Sequence, residues 1–235
     1  MDLSVYYDTY WQYVGDRCDL NRLQLLLAYV QPGERVLEVD CGPGVLARMM
    51  MDKGALVEAT EMSREAVQRA REKGVSVQHV DLDAPDSRLP YPDNIFDTVV
   101  SNSAIEHRFF HEKHLDECVR VLKPGGRLVL CLPNIAHWRC RLWLLAGRFP
   151  YLHNSPTDPS HLRFFTVYEA RKLCQERGVV LEHMDGSASL WVPGFYPRWL
   201  RRPPFDKLYT WLARHYPGLF ARDFILVGRK GAPPA

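Results

Sequence analysis

The first 135 residues alternate between short apolar runs and longer amphipathic segments. Five apolar runs predict β-strands, at 35–40, 55–60, 75–80, 95–101 and 127–132. Three segments between them have the apolar spacing of helices, at 44–53, 63–73 and 112–122. Strands that alternate with helices in this way indicate βαβ crossovers and a parallel sheet.

Capping signals and further strands extend this pattern toward both ends of the chain. Asp19 is a suitable N-cap for a helix that runs to Val30. Thr166 followed by Glu169 forms a capping-box signature for a helix to Arg177. Two more apolar runs predict strands, at 179–184 and 224–227. The sequence therefore predicts a doubly wound, Rossmann-like α/β fold, with a seven-stranded, mostly parallel sheet in a single domain.

The division of the chain follows from the same pattern. We expect an N-terminal helical segment at 1–34 and one domain at 35–230. Within that domain, a long connection rich in Trp, Pro and Arg forms an insertion near 186–222. The tail at 231–235 has a low-complexity Gly/Ala/Pro composition, which predicts disorder.

Composition and charge narrow the classes of protein. No apolar run reaches the roughly 18 residues that a membrane span needs, and the first residues lack the features of a signal peptide. The six cysteines show no metal-binding spacing, so we expect free thiols in a cytoplasmic protein and no metal site. A net charge of +2 argues against nucleic acid as a partner. The stretch 191–216 mixes aromatic residues with arginines and is compatible with a peripheral membrane contact.

The densest signal is a glycine turn between a strand and a helix. Residues 36–39 lead through Asp40 to Gly42 and Gly44. Glycines let the backbone approach a ligand without a Cβ in the way, and the next helix offers free N–H groups at its positive end. Glu61 follows at the end of the next predicted strand, where an acid accepts the ribose hydroxyls of a nucleotide. The turn therefore predicts a ligand of nucleotide type.

Two cofactor classes fit this turn. The spacing Gly42-x-Gly44-x-x-Ala47 also satisfies the dinucleotide fingerprint, so the turn alone leaves NAD open. Over roughly residues 30–185, however, the chain resembles class I S-adenosylmethionine-dependent methyltransferases. Five segments carry the resemblance in family order, at 36–44, 57–66, 80–83, 96–107 and 122–128. A dehydrogenase is not expected to show the last three.

The resemblance implies an S-adenosylmethionine site. Gly42 and Gly44 would line the methionine end of the cofactor, and Glu61 would hold the ribose. Asp81 and Leu82 would hold the adenine. The complete set of implied cofactor-binding residues is Glu38, Asp40, Gly42, Gly44, Glu61, Met62, Asp81, Leu82 and Asn102.

Asp40 departs from the family, which usually has glycine at this position. Its carboxylate could crowd the cofactor's methionine portion. Alternatively, the carboxylate is tolerated, either because it faces the cofactor's ammonium group or because nearby backbone donors hold it aside. An unpaired charge in a tight loop is costly, so we expect Asp40 to have a partner.

The part of the chain after the fifth predicted strand is similar to the methionine-biosynthesis protein MetW and to the broad methyltransferase-11 group. The segments concerned are 133–142, 147–151 and 158–166. We expect methyl transfer to oxygen on a small-molecule or glycan-type acceptor, with the 186–222 insertion on the acceptor side. Candidate bases, in order of preference, are His161, His107 and His137. Candidate substrate-binding residues are Trp138, Arg139 and Arg163.

Two other functions stay open at this stage. One is a non-catalytic partner of a biosynthetic enzyme, of the MetW type, in which Asp40 weakens or abolishes cofactor binding. The other is a nucleotide-dependent oxidoreductase that uses the dinucleotide fingerprint. The identity of the acceptor and the oligomeric state are not encoded in any recognisable pattern.

Overall fold

The computed structural model describes residues 3–84 and 86–231. The α-helices are α1 (Leu3–Val14), α2 (Leu20–Leu27), α3 (Val45–Asp52), α4 (Arg64–Glu72), α5 (His111–Val121), α6 (Trp138–Leu145), α7 (Val167–Gln175), α8 (Phe205–His215) and α9 (Pro217–Phe220). The strands are β1 (Arg35–Val39), β2 (Leu56–Glu61), β3 (Ser76–His79), β4 (Phe96–Asn102), β5 (Leu122–Pro133), β6 (Val179–Ser187) and β7 (Asp223–Lys230). Two 3-10 helices lie at Ile105–His107 and Arg198–Arg201. Of the tail expected to be disordered, residues 232–235 lie outside the described part.

The seven strands form one sheet in the order β3-β2-β1-β4-β5-β7-β6. Strands β1 to β5 are parallel to one another, whereas β7 is antiparallel to both β5 and β6. This arrangement confirms the predicted doubly wound, mostly parallel sheet. The order of the strands reverses at β1, which lies between β2 and β4, and the carboxyl ends of β1 and β4 flank the resulting crevice.

Side-chain caps fix where the helices begin. The Asp19 carboxylate accepts from Arg22 N at 3.3 Å, and Thr166 Oγ1 accepts from Glu169 N at 3.2 Å. Both helices end two or three residues before the predicted point. Backbone N–H groups of the closing turns hydrogen-bond within the last helical turn, so those residues form a turn instead of continuing the helix.

Two apolar layers cover the faces of the sheet. One lies around Phe96, Leu115 and Phe224, and the other around Leu26, Met50 and Val129. Near-complete burial on both faces explains why the strands read as continuous apolar runs instead of alternating ones. These layers hold the carboxyl ends of the strands rigidly in place.

The 186–222 connection is structured and forms a third apolar cluster. Phe195, Tyr196 and Tyr209 are buried there, together with Cys140 of α6. Several aromatic side chains of the same segment face outward, with Trp199 and Trp211 about half exposed. None of the helices in the described ranges 3–84 and 86–231 has the length and apolar character needed to cross a membrane.

Candidate active site

A cavity of about 230 Å³ lies at the carboxyl ends of β1, β2 and β4. Its walls come from the glycine turn, the loop that follows β4, and the loop at residues 154–161. Helix α1 covers one side with Tyr7, Tyr10 and Trp11, and β7 begins on the opposite side with Asp223. The position agrees with the rule that ligands of open α/β sheets bind where the strand order reverses.

The glycine turn has the left-handed backbone that the sequence pattern implied. Asp40, Gly42 and Gly44 have φ angles of 57°, 55° and 74°. A Cβ on Gly42 would lie 2.8 Å from the Trp11 ring, so glycine there allows α1 to approach the turn. A Cβ on Gly44 would lie 2.8 Å from the Ala70 Cβ, which means that Gly44 serves the packing of α3 against α4. Gly42 borders the cavity and Gly44 does not.

Two buried carboxylates stand beside the turn. Glu61 accepts from Gly42 N and from Ser63 N, both at 2.8 Å. Burial, and then the nearby Asp40, raise the pKa of Glu61 to about 7. Glu38 Oε2 has no hydrogen-bond partner within the described chain, and burial raises the pKa of Glu38 to about 8. Both carboxyl groups border the cavity.

Asp40 is paired with an arginine that the sequence pattern did not single out. Arg108 donates through Nε to Asp40 Oδ2 at 3.0 Å and through Nη2 to Asp40 Oδ1, so the contact is bidentate. His114 Nδ1 lies 3.4 Å from the same carboxylate. Burial disfavours the charged form, yet Arg108 and His114 hold the pKa of Asp40 below its ordinary value. The expected partner therefore exists, but it is a side chain of this chain and not a set of backbone donors.

Arg108 also occupies the region assigned to adenine. Its Nη1 lies 3.2 Å from Asp81 Oδ1 and 3.2 Å from Met62 Sδ. Leu82 is 2% exposed and packs in the core instead of bordering the cavity. Asn102 borders the cavity, and its Oδ1 has no partner among residues 3–84 and 86–231. Met62 and Asn102 are thus at the cavity, whereas Asp81 reaches it only through Arg108.

The three candidate histidines separate into two groups. His107 and His161 both border the cavity, with ring centroids 4.9 Å apart. Burial, above all, lowers the pKa of both, to about 4 for His107, so both are neutral at pH 7. His137 lies outside the cavity at the start of α6, where Nδ1 accepts from Arg139 N at 3.1 Å and Nε2 lies 2.8 Å from the Tyr209 hydroxyl. Both ring nitrogens of His137 are therefore engaged in holding α6 and α8 together.

The three candidate substrate-binding residues are not brought to the cavity. Trp138 donates to the Tyr209 hydroxyl at 2.7 Å, and Arg139 lies over the Trp138 and Trp143 rings. Arg163 donates to the Phe109 carbonyl at 2.9 Å. Trp138 packs against Tyr209 of the insertion, a contact that local sequence cannot distinguish from a substrate site.

Several cavity residues were missed by the sequence reasoning. They are the cations Arg17, Arg22, Arg108 and Arg222, the acid Glu106, and the α1 aromatics Tyr7, Tyr10 and Trp11. Glu106 and Arg108 flank His107 in the loop after β4, so the prediction of His107 as a base pointed to the right loop. No local pattern marks the others, because long-range packing brings them together.

A model of the family described as methionine biosynthesis protein MetW matches residues 17–201, which is more than three quarters of the chain. The chain belongs to the MetW family. The matched region contains the glycine turn, the loop after β4 and the 154–161 loop, and it ends before α8. Together with the fold, membership of the MetW family confirms the resemblance to class I methyltransferases.

Similar proteins of known sequence carry methyltransferase names. A probable S-adenosylmethionine-dependent methyltransferase of Mycolicibacterium smegmatis is 32% identical over 162 residues, covering 68% of this chain and 57% of that protein. The ubiquinone biosynthesis O-methyltransferase of Klebsiella pneumoniae is 30% identical over 148 residues, covering 58% and 60% of the two chains. This member of the MetW family thus spans little more than half the length of the curated relatives it matches.

Solved structures share the fold at low identity. A chain in the complex of the Haloferax volcanii Trm112 methyltransferase activator superposes with a TM-score of 0.66 at 20% identity, covering 96% of this chain and 98% of that one. The [4+2]-cyclase SpnF gives a TM-score of 0.64 at 21% identity, covering 91% and 81%. At such identities the similarity shows the fold alone, and the cyclase illustrates that one fold hosts more than one chemistry.

Proposed function

We propose that the protein transfers a methyl group from S-adenosylmethionine to an oxygen atom of a small-molecule or glycan-type acceptor. The observation that carries this proposal is the composition of the cavity. Buried carboxylates stand beside a left-handed glycine turn, and two neutral histidines stand in the same cavity. Family membership adds weight to it, because the family model spans the glycine turn and several similar proteins carry methyltransferase names.

The residues around the turn fit a cationic nucleoside. S-adenosylmethionine carries positive charge on its ammonium and sulfonium groups and neutral hydroxyls on its ribose. Glu38 Oε2 is buried without a partner in the described residues, so a bound cation would displace the proton that burial favours and accept the carboxylate as its partner. Glu61 retains unused lone pairs beyond its two backbone contacts and is suited to the ribose hydroxyls. Glu38, Glu61 and Met62 would therefore hold the cofactor, and a bound cofactor would supply an electrophilic methyl carbon.

The acceptor side requires removal of a proton. A hydroxyl oxygen loses its proton as it forms a bond to the methyl carbon, while the carbon–sulfur bond breaks and leaves a neutral thioether. His161 and His107 are neutral and border the cavity, so either can accept that proton. Alignment of the reacting atoms supplies much of the rate in such a transfer, and the rigid carboxyl ends of the strands provide it.

Calorimetric titration separates this proposal from its rivals. The chain is titrated with S-adenosylmethionine, S-adenosylhomocysteine and NAD in turn. We expect one molecule of each sulfur nucleoside to bind per chain and NAD to show no heat of binding. Binding of NAD alone would support an oxidoreductase, and failure of all three would contradict a cofactor site at the glycine turn.

A second function, a non-catalytic partner of a biosynthetic enzyme, is favoured by one specific observation. Arg108 spans from Asp40 to Asp81 and so lies across the region assigned to the cofactor. In that case the native chain would not bind the sulfur nucleosides at millimolar concentration. The Asp40→Gly variant, which restores the family residue and releases Arg108, would bind them.

A further inference from the structure

Three potential metal ligands meet on the acceptor side of the cavity. Glu106, His107 and His161 each offer one ligand atom, and these atoms all lie within 4.8 Å of one another. The His107 Nε2 atom lies 3.9 Å from Glu106 Oε1. The two histidines come from loops far apart in sequence, so it is the fold that brings the three side chains together.

Backbone carbonyl groups orient both imidazole rings. His107 Nδ1 lies 3.1 Å from the Ser160 carbonyl oxygen, and His161 Nδ1 lies 3.3 Å from the Pro156 carbonyl oxygen. A carbonyl oxygen only accepts hydrogen bonds, so each Nδ1 carries the proton and each Nε2 keeps its lone pair. An imidazole held in this way by a second acceptor is the usual arrangement of a metal-ligating histidine.

The carboxylate of Glu106 is buried without compensation. Glu106 is 1% exposed, and neither of its oxygens has a hydrogen-bond partner in the ranges that the structure describes. A buried carboxylate of this kind is costly unless a cation or donors face it. The Glu106 side chain is therefore the independent sign of a ligand.

The charges around Glu106 do not supply that cation. Arg22 faces it, but Arg22 Nη1 already lies 3.5 Å from Asp223 Oδ2 and donates to Ser103 Oγ. Arg108 binds Asp40, and the Arg222 guanidinium binds Asp223 and also lies 3.8 Å from Asp19 Oδ2. The acids Asp19 and Asp223 together therefore balance Arg22 and Arg222. Each neighbouring arginine is thus neutralised by an acid other than Glu106.

The main chain holds the two loops in register. The Glu106 carbonyl accepts from Leu162 N at 2.8 Å and from Arg163 N at 2.9 Å. These bonds join the loop after β4 to the loop that carries His161. The three ligands therefore rest on one fixed backbone frame, as a metal site requires.

We propose that Glu106, His107 and His161 form a binding site for a divalent transition-metal ion such as Zn²⁺. Two imidazoles and one carboxylate form a ligand set that suits zinc and its neighbours, and three protein ligands leave an open position. Ligand atoms about 2.1 Å from a tetrahedral ion lie roughly 3.4 Å apart, so the observed atoms, up to 4.8 Å apart, must close in by up to about 1.4 Å through side-chain rotation. This proposal revises the expectation of no metal site, which rested on cysteine spacing.

The role of the ion rests on the proposed methyl transfer. An acceptor hydroxyl at the open position loses its proton to water more readily, because the ion stabilises the resulting oxyanion. The oxygen then forms its bond to the methyl carbon as the carbon–sulfur bond breaks. With an ion present, Nε2 of each histidine holds the ion and does not act as a base.

The test measures binding of the metal alone, so it does not depend on activity. Tag-free protein is freed of metal with a chelator and titrated with ZnCl₂ by calorimetry, and Co²⁺ binding is followed by visible absorption. We expect one Zn²⁺ per chain and a Co²⁺ spectrum of low coordination number. Glu106→Gln and His161→Gln should each weaken Zn²⁺ binding at least about tenfold.

A matched control is present in the chain itself. Glu182 and His183 form another Glu-His pair, but both are exposed on β6 and Glu182 pairs with Arg229. The double variant Glu182→Gln, His183→Gln should bind Zn²⁺ as the native protein does. Zn²⁺ should also raise the melting temperature of the native protein but not that of Glu106→Gln, a nearly isosteric and neutral replacement.

Three results would overturn the proposal. They are no stoichiometric Zn²⁺ binding by the native chain, unchanged affinity in the folded Glu106→Gln variant, or an equal loss in the control variant. Failure of metal binding with intact binding of S-adenosylhomocysteine would remove the ion and leave methyl transfer standing, with His161 as base. Metal binding without binding of S-adenosylhomocysteine would keep the metal site and contradict the proposed methyl transfer.

Discussion

Asp40 combines a left-handed backbone conformation with a charge that is paired inside the protein. Its φ of 57° lies in the left-handed region, where glycine is the usual residue and Asp is one of the few others that enter it readily. The bidentate contact with Arg108 then compensates the buried charge. The backbone requirement was readable from the motif, but the partner, 68 residues away, was not.

Replacing Asp40 by Asn should destabilise the free protein. Asn tolerates the same backbone, so the variant removes the charge opposite Arg108 and one of the two acceptor oxygens of the bidentate pair. We expect the free energy of unfolding to fall by about 3 kcal/mol, at the lower end for a broken buried pair, because Asp81 still faces Arg108. Urea denaturation of Asp40→Asn, Arg108→Met and the double variant measures the coupling. Strictly additive losses would show that the two side chains do not interact.

Glu38 should make stability depend on pH in a predictable direction. Burial raises its pKa from 4.5 to about 8, so the folded protein holds a proton that the unfolded chain releases between those values. The stabilising contribution is complete below about pH 4.5 and is lost as the pH rises toward 8.

Comparison with the Glu38→Gln variant isolates this effect. The amide does not titrate, and other groups change equally in both proteins. We expect the free energy of unfolding of the native protein to fall relative to the variant by roughly 1 kcal/mol per pH unit between pH 5 and 8. Parallel pH profiles would contradict the buried, uncompensated state of Glu38.

At the scale of elements, helix α1 supplies part of the cavity wall that sequence reasoning did not predict. Asp8 accepts from Ser63 Oγ at 2.6 Å and from Glu65 N at 3.2 Å, which anchors α1 to the start of α4. Trp11 then lies against Gly42, and the Tyr7 ring lies 5.8 Å from the His107 ring. The helix therefore bridges the glycine turn and the acceptor side.

Trp11 should report on ligands that enter at the glycine turn. Because its ring contacts Gly42, binding of S-adenosylhomocysteine should change its environment and hence the intrinsic fluorescence of the protein. We expect the change to be reduced in Trp11→Phe, where Trp191 is the remaining tryptophan at the cavity, and kept in Trp199→Phe, whose ring lies in the insertion away from the cavity. An undiminished change in Trp11→Phe would mean that ligands do not approach α1.

Sequence reasoning succeeded for elements whose signals are local. The strands β1 to β5, the caps Asp19 and Thr166, and the glycine turn all follow from periodicity and capping chemistry. The role of α1 did not, because an aromatic stretch at 6–13 has no partner in its own neighbourhood. His137 is likewise a candidate base by its sequence position alone, but in the fold its Nε2 lies beside the hydroxyl of Tyr209, 72 residues away.

At the scale of the whole molecule, the insertion closes the cavity by contacts between distant segments. Ser189 donates to Asp19, the cap of α2, and to Asp223 at 3.2 Å. Arg222 donates to the Asn154 carbonyl at 2.6 Å and also binds Asp223. This network joins the N-terminal helices, the insertion and β7. Its charged residues come from separate segments, and none of these segments predicts the network from its own composition. Only the fold shows that basic and acidic residues balance there.

The central claim is that a nucleoside cofactor binds at the glycine turn, and Glu61 tests it most directly. S-adenosylhomocysteine is titrated calorimetrically into the native protein, Glu61→Gln and a control, Glu58→Gln. Glu58 lies on β2 like Glu61, but its side chain binds Arg35 of β1. Loss of a charged acceptor should weaken binding by about 1.5–3 kcal/mol, or roughly 10- to 100-fold, in Glu61→Gln alone. Native affinity in a folded Glu61→Gln variant, or no binding by the native chain, would contradict the claim.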